Sequence, residues 1–168
     1  MIRYRRLYES ENSDIKLYDV VRCAGYEWYV IDKQGDVVIL LAKDADFGEC
    51  MFDEESNDYK NSEIREYLKN RVFPELQSAN PIPARLSDVG VTDKVWLLSV
   101  NEAKKLPLHV KKFGHFKWIW WLRSPGRYSN DTAYVDSVGS VHTGGNFVDR
   151  ASVCVRPAMQ VRVEDLEG

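Results

Sequence analysis

From Arg127 to Ser152 the chain almost stops using long aliphatic side chains. Ser, Asn, Asp, Thr, Tyr and Gly take their place, with valines at 135, 138, 141 and 148 and glycines at 139, 144 and 145. A stretch with so little apolar volume cannot build its own core. It suits short strands joined by tight turns, each strand keeping one apolar contact with a core assembled elsewhere. That core has to come from the rest of the 168 residues, of which 44% overall are hydrophobic and 29% charged. A chain of this length and balance makes one core, so we expect a single domain over residues 1–168, with 1–16 as an N-terminal extension.

The flanking segments carry the apolar residues. Leu17 to Val21 is a short apolar run, and Glu27–Ile31 and Asp36–Ala42 read as strands. Lys33-Gln34-Gly35-Asp36 breaks the last two, which predicts a hairpin with a largely buried second strand. Ser62 is placed to cap a helix that carries Ile64, Tyr67, Leu68 and Val72 on one face, with Glu63, Arg65, Glu66 and Lys69 on the other. Pro74 is expected to stop it, and Asn80-Pro81-Ile82-Pro83 to form a loop. Val95–Leu98 predicts a short buried strand. Ser99 and Glu102 stand at capping-box spacing, which marks a second short helix running to Leu106, before Pro107. Val153, Val155, Met159, Val161 and Val163 restore a strand pattern, with Pro157 predicting an edge position or a bulge.

No apolar run approaches the ~20 residues that span a bilayer, and Met-Ile-Arg-Tyr-Arg-Arg lacks the apolar stretch of a signal peptide. The expected location is therefore the cytoplasm of the host cell, or a phage particle. Cys23, Cys50 and Cys154 are odd in number and widely spaced, which indicates neither a disulfide scaffold nor a zinc ribbon. A net charge of −3 argues against a nucleic-acid partner. Arg3, Arg5 and Arg6 cluster, as do Lys104, Lys105, Lys111, Lys112 and Lys117; both groups read as solvated faces. His109, His115 and His142 have no acidic or thiol companions at ligand spacing, so no metal and no cofactor is expected. There is no phosphate-cradling glycine loop and no Gly-x-Ser-x-Gly elbow. Glu54-Glu55 sits in what reads as a polar loop, Asp53 to Asp58.

Four ordered strings carry a family resemblance: Tyr59-Lys60-Asn61-Ser62-Glu63-Ile64-Arg65-Glu66-Tyr67-Leu68, Asp93 through Ala103, Trp120-Trp121-Leu122-Arg123-Ser124-Pro125-Gly126, and Val155-Arg156-Pro157-Ala158. Over residues 17–163 the chain resembles an uncharacterised domain family common in gut Firmicutes, their phages and mobile elements. That family is distantly similar to the C-type-lectin-like fold of formylglycine-generating enzymes and of retroelement variable proteins. The resemblance implies an α+β, C-type-lectin-like fold of antiparallel strands with two short helices. It also implies a non-enzymatic module that displays a variable-type surface, here Arg127 to Ser152, to a protein or glycan.

On that surface Tyr128, Tyr134 and Phe147 supply rigid contact area, while Asn130, Asp131, Asp136, His142, Asn146 and Asp149 supply adaptable hydrogen bonds. The same residues also read as ordinary turn formers. Trp120, Trp121, Arg123 and Arg156 are expected to be structural anchors, with the two arginines tying down the 127–152 loops through their five donors. Two further functions stay open. One is a mobile-element effector that binds and inhibits a host defence protein such as a nuclease, through the lysine cluster or the acidic loop. The other is an enzyme of the formylglycine-generating type, weakened because Cys154 is alone in the C-terminal part and lies between two valines.

Overall fold

The computed structural model describes residues 14–44, 47–114 and 118–167. Arg3, Arg5, Arg6, His115 and Lys117 lie outside them. The chain folds as a mixed α+β structure of mostly antiparallel sheets with short helices. Strands β1 (Val20–Cys23), β2 (Tyr26–Gln34) and β3 (Val37–Ala42) form a meander. Next come helices α1 (Glu63–Tyr67) and α2 (Phe73–Leu76). Strands β4 (Ala84–Leu86), β5 (Val91–Asp93) and β6 (Val95–Trp96) follow. After helices α3 (Val100–Lys104) and α4 (Leu108–Lys111) come β7 (Trp120–Pro125), β8 (Asp131–Val135), β9 (Val141–Phe147) and β10 (Ala158–Arg162). The main sheet has the order β1-β2-β3-β10-β6, and β7-β8-β9 form a second sheet.

The strand signals of the first third hold. β2 and β3 pair antiparallel, Gln34 opposite Val37, with only Gly35-Asp36 between them. Val38, Leu40, Leu41 and Ala42 are buried in the hydrophobic core, and β3 lies inside the sheet between β2 and β10. The closing strand β10 also lies inside the sheet, between β3 and β6, rather than at its edge. Pro157 stands one residue before β10, opposite Ala42: its carbonyl accepts from Ala42 N–H at 3.1 Å, and the reciprocal bond to Ala42 O that its missing N–H cannot make comes from Arg156 Nε at 2.7 Å.

Both helix starts form as their caps dictate. Ser62 Oγ accepts from Arg65 N–H at 3.2 Å. Ser99 and Glu102 make the reciprocal pair, Ser99 Oγ accepting from Glu102 N–H at 3.1 Å and Glu102 Oε1 from Ser99 N–H at 2.8 Å. Pro74, in contrast, does not end the first helix. The chain widens into a π turn over Leu68–Val72, Phe73 N–H donates to Leu68 O, and α2 carries Pro74 in its first turn. The π turn absorbs the lost N–H and the ring's bulk, so the helical path continues through a 3-10 turn to Ala79. Pro107 likewise ends one helical segment and sits at the N-cap of the next.

The Val95–Leu98 strand is shorter than expected. Leu97 and Leu98 are buried, but their carbonyls turn to Arg123 instead of a ladder: Leu97 O accepts from Arg123 Nη1 and Leu98 O from Arg123 N–H, both at 2.8 Å. Of the four valines expected to touch the core from 127–152, Val135 and Val148 are buried and Val141 packs against it. Val138 does not: it projects into solvent at the tip of the β8–β9 turn, 59% exposed.

Candidate functional site

The base of the 127–152 region is β7, buried on both faces. Alternation along a strand sends Trp120 and Trp121 to opposite sides, and each side has its own cover. Trp121 donates from Nε1 to Cys50 O at 2.9 Å and meets the Phe52 ring edge-on at 5.9 Å. Trp120 donates from Nε1 to Lys111 O at 2.9 Å and lies under the Arg156 guanidinium, 4.7 Å from its ring centre.

Arg156 is fully buried. Its Nε donates to Ala42 O and its Nη1 to Val110 O, both at 2.7 Å, and Phe113 covers it at 4.7 Å. Nη2 has no hydrogen-bond partner among the described residues. Burial pulls its pKa down to about 9, against a weak opposing pull from Tyr29 and Asp44. Arg156 thus joins β3 to α4 and does not reach into the 127–152 loops.

Arg123, nearly buried, also bonds elsewhere. Its Nε and Nη2 fork onto Asp88 at 3.0 to 3.2 Å, and Nη1 also meets Glu102 Oε1. The resulting Asp88–Arg123–Glu102 array lines a depression of about 660 Å3 between the β4–β5 turn, α3 and β9.

The 127–152 loops are held instead by Asn57. Its Nδ2 donates to Tyr128 O at 3.0 Å and to Asp131 O at 2.9 Å, and its N–H donates to Ser129 O at 2.9 Å. Val148 O accepts from both Phe52 and Asp53 N–H. Asp53 in turn orders its own loop and accepts from Glu63 N–H at 3.1 Å. The loop read as merely polar is therefore the clamp. Neither Asn57 nor Asp88 carried a sequence signal, since each is one polar turn residue among many and its partners lie far along the chain. Asn57→Ala is expected to cost about 1 kcal/mol, since Tyr128 O and Asp131 O each lose one bond but keep the backbone N–H of Asp131 and of Gly126. It should also speed amide exchange at Asp131 and Val148, while Asn61→Ala, which removes an exposed bond to Asp58, leaves both unchanged.

The candidate surface residues fall into two groups. Tyr128 and Phe147 are each 61% exposed at one end of the β8–β9 ladder, near exposed Asn130 and Asp149 and half-buried Asn146. Asp131, paired with Phe147 in register, is buried. Gly145 at φ +91 lets β9 bend tightly here, because a Cβ would stand 2.7 Å from Thr132 O.

At the other end Tyr134 stacks on His142, with ring centres 4.5 Å apart. His142 Nε2 meets Asp136 Oδ2 at 2.7 Å, while Asp136 Oδ1 accepts from Val138 and Ser140 N–H. Burial raises the Asp136 pKa, but the His142 ring and these two N–H groups outweigh it and hold the carboxyl below its ordinary value.

Chemistry elsewhere is muted. Burial pushes the Cys23 thiol up to about 12 and the Cys50 thiol up to about 11, the opposite of what a thiolate nucleophile needs. His109 lies edge-on to Tyr29 at 6.0 Å, and no metal-ligand cluster forms among the described residues.

The fold and its surface define a small α+β domain that carries exposed aromatic residues at one end of a three-stranded sheet. The chain belongs to the DUF6273 family, a domain of unknown function, whose family model matches residues 35–163. No curated protein and no solved structure matches it. The match begins inside the β2–β3 turn, although β1 and β2 belong to the same sheet as β3 and β10.

Proposed function

We propose that this chain is a non-enzymatic binding module with a C-type-lectin-like scaffold, and that the Tyr128–Phe147 end of its small sheet takes a protein ligand. The observation that carries this is the pair of aromatic side chains, each 61% exposed, on backbone clamped by Asn57. An aromatic ring left in water loses the burial free energy it would gain in a core, about 2 kcal/mol or more. Rigid backbone beneath it lowers the entropy lost on binding. Asn130, Asn146 and Asp149 around the rings supply hydrogen-bonding groups, as in other binding loops. The raised Cys50 thiol is in keeping with a non-enzymatic role. The closing strand β10, paired to β3 of the opening meander, supports the lectin-like reading of the scaffold.

Panning the protein against a displayed peptide library and a glycan array tests this. Ligands selected by the native protein are expected to lose at least about tenfold in affinity for Tyr128→Ala/Asn146→Ala/Phe147→Ala, since truncated aromatic hot spots cost about 2 kcal/mol or more. Full affinity for the folded triple variant would overturn the placement, and selection of glycans alone would overturn the protein ligand.

A further inference from the structure

We infer that the turn end of the β8–β9 hairpin and helix α4 form a second docking surface, fitted to an acidic protein segment with aliphatic side chains at its centre. The inference does not rest on the Tyr128–Phe147 reading. Leu108, on α4, is 54% exposed, and Val138, at the hairpin tip, is 59% exposed. The two elements make one surface: Gly139, at φ +87, packs so closely on α4 that a Cβ would stand 2.7 Å from Leu108 Cδ1 and 3.5 Å from Lys111 Cβ and Lys112 Cγ.

Lys111 and Lys112 border this pair, and Lys104 and Lys105 are exposed at the end of α3, a few residues before α4. None of them makes an ion pair among the described residues. Asp136, the acidic group in the turn itself, is occupied by His142 and two backbone N–H groups rather than by a lysine. The chain as a whole carries a net charge of −3, so the positive charge is segregated here against the overall sign.

An apolar centre with a charged rim is the anatomy of a protein interface, and the rim sets partner sign and association rate. The other anionic partners fit less well. Nucleic-acid sites favour arginine forks and stacking aromatics over an aliphatic centre, and α4, at four residues, is too short to read a groove. For a membrane, Leu108 and Val138 together offer about half the aliphatic carbon of one myristoyl chain, which by itself binds only marginally.

The test is a displayed 12-residue peptide library selected on the native protein at low salt. The selected peptides are then measured against Leu108→Asp, Lys104→Glu/Lys112→Glu and Tyr128→Ala/Phe147→Ala. All these side chains are exposed, and circular dichroism checks the fold. Peptides with Asp or Glu flanking Leu, Ile or Val are expected. Their affinity should fall at least about tenfold in the first two variants and with added salt, and hold in the third. Enrichment without acidic residues would overturn the inference, as would equal affinity for Leu108→Asp. So would binding only to single-stranded DNA or to phosphatidylserine vesicles. Loss confined to the Tyr128/Phe147 variant would overturn this surface while supporting the other.

Discussion

Arg156→Ala is expected to destabilise the fold by about 4 kcal/mol, from the lost bulk of a buried side chain and two stranded carbonyls. The residue lies where three parts of the chain meet. It holds Ala42 O at the end of β3 and Val110 O in α4, and it fills the gap between the Trp120 and Phe113 rings. A lone buried guanidinium is expensive to desolvate, so its retention has to be offset by what it joins. Arg156→Met separates the two contributions. Methionine restores most of the volume and removes the charge, but leaves both carbonyls without donors, so its cost is expected near about 2 kcal/mol. Urea denaturation with an unchanged slope is the measurement. If Arg156→Ala were no worse than a surface substitution, within about 0.5 kcal/mol, Arg156 would not be the joint described here.

Trp120→Ala and Trp121→Ala are each expected to cost about 4 kcal/mol. The near-equality is the informative part. A sheet with one wet face gives one large and one small value for neighbouring strand positions, because only one side chain meets a core. Here β7 has Phe52 and the Cys50 carbonyl over one face, and Arg156 and the Lys111 carbonyl over the other. Trp→Phe at either position keeps most of the volume and strands one carbonyl, for about 1–2 kcal/mol. Thermal unfolding of the four variants resolves the pattern, and a cost confined to one of the two positions would contradict burial on both faces.

Much of the scaffold was legible in the residues. The meander, the Ser62 cap and the Ser99–Glu102 box all rest on interactions within a few residues, and those survive in any tertiary setting that admits the element. The burial of Trp28 and Trp96 followed from the apolar runs that contain them. The strands of 127–152 followed from spaced valines and turn glycines, although Val138 faces water because the β8–β9 turn carries it beyond the core.

The misreadings share one cause. Pro74 and Pro157 have local rules, yet a π turn accommodates the first. The second stands just before β10, where Arg156 Nε gives Ala42 O the bond that proline cannot, so β10 can take the middle of the sheet. Arg123 and Arg156 were expected to hold the 127–152 loops because an arginine needs acceptors and those loops were the nearest in sequence. Their actual acceptors come from Asp88, Leu97 and Glu102, and from Ala42 and Val110.

By itself, then, the sequence determined the element types, most of the core and the polar character of the stretch from Arg127 to Ser152. Tertiary structure alone decided that Asn57 clamps that stretch, that both faces of β7 are covered, and that the β8–β9 turn packs on α4 at Leu108. Local hydrogen bonds and side-chain periodicity are encoded within a few residues. The partner of a long polar side chain, or the cover over a strand, depends on which distant segments the chain brings together.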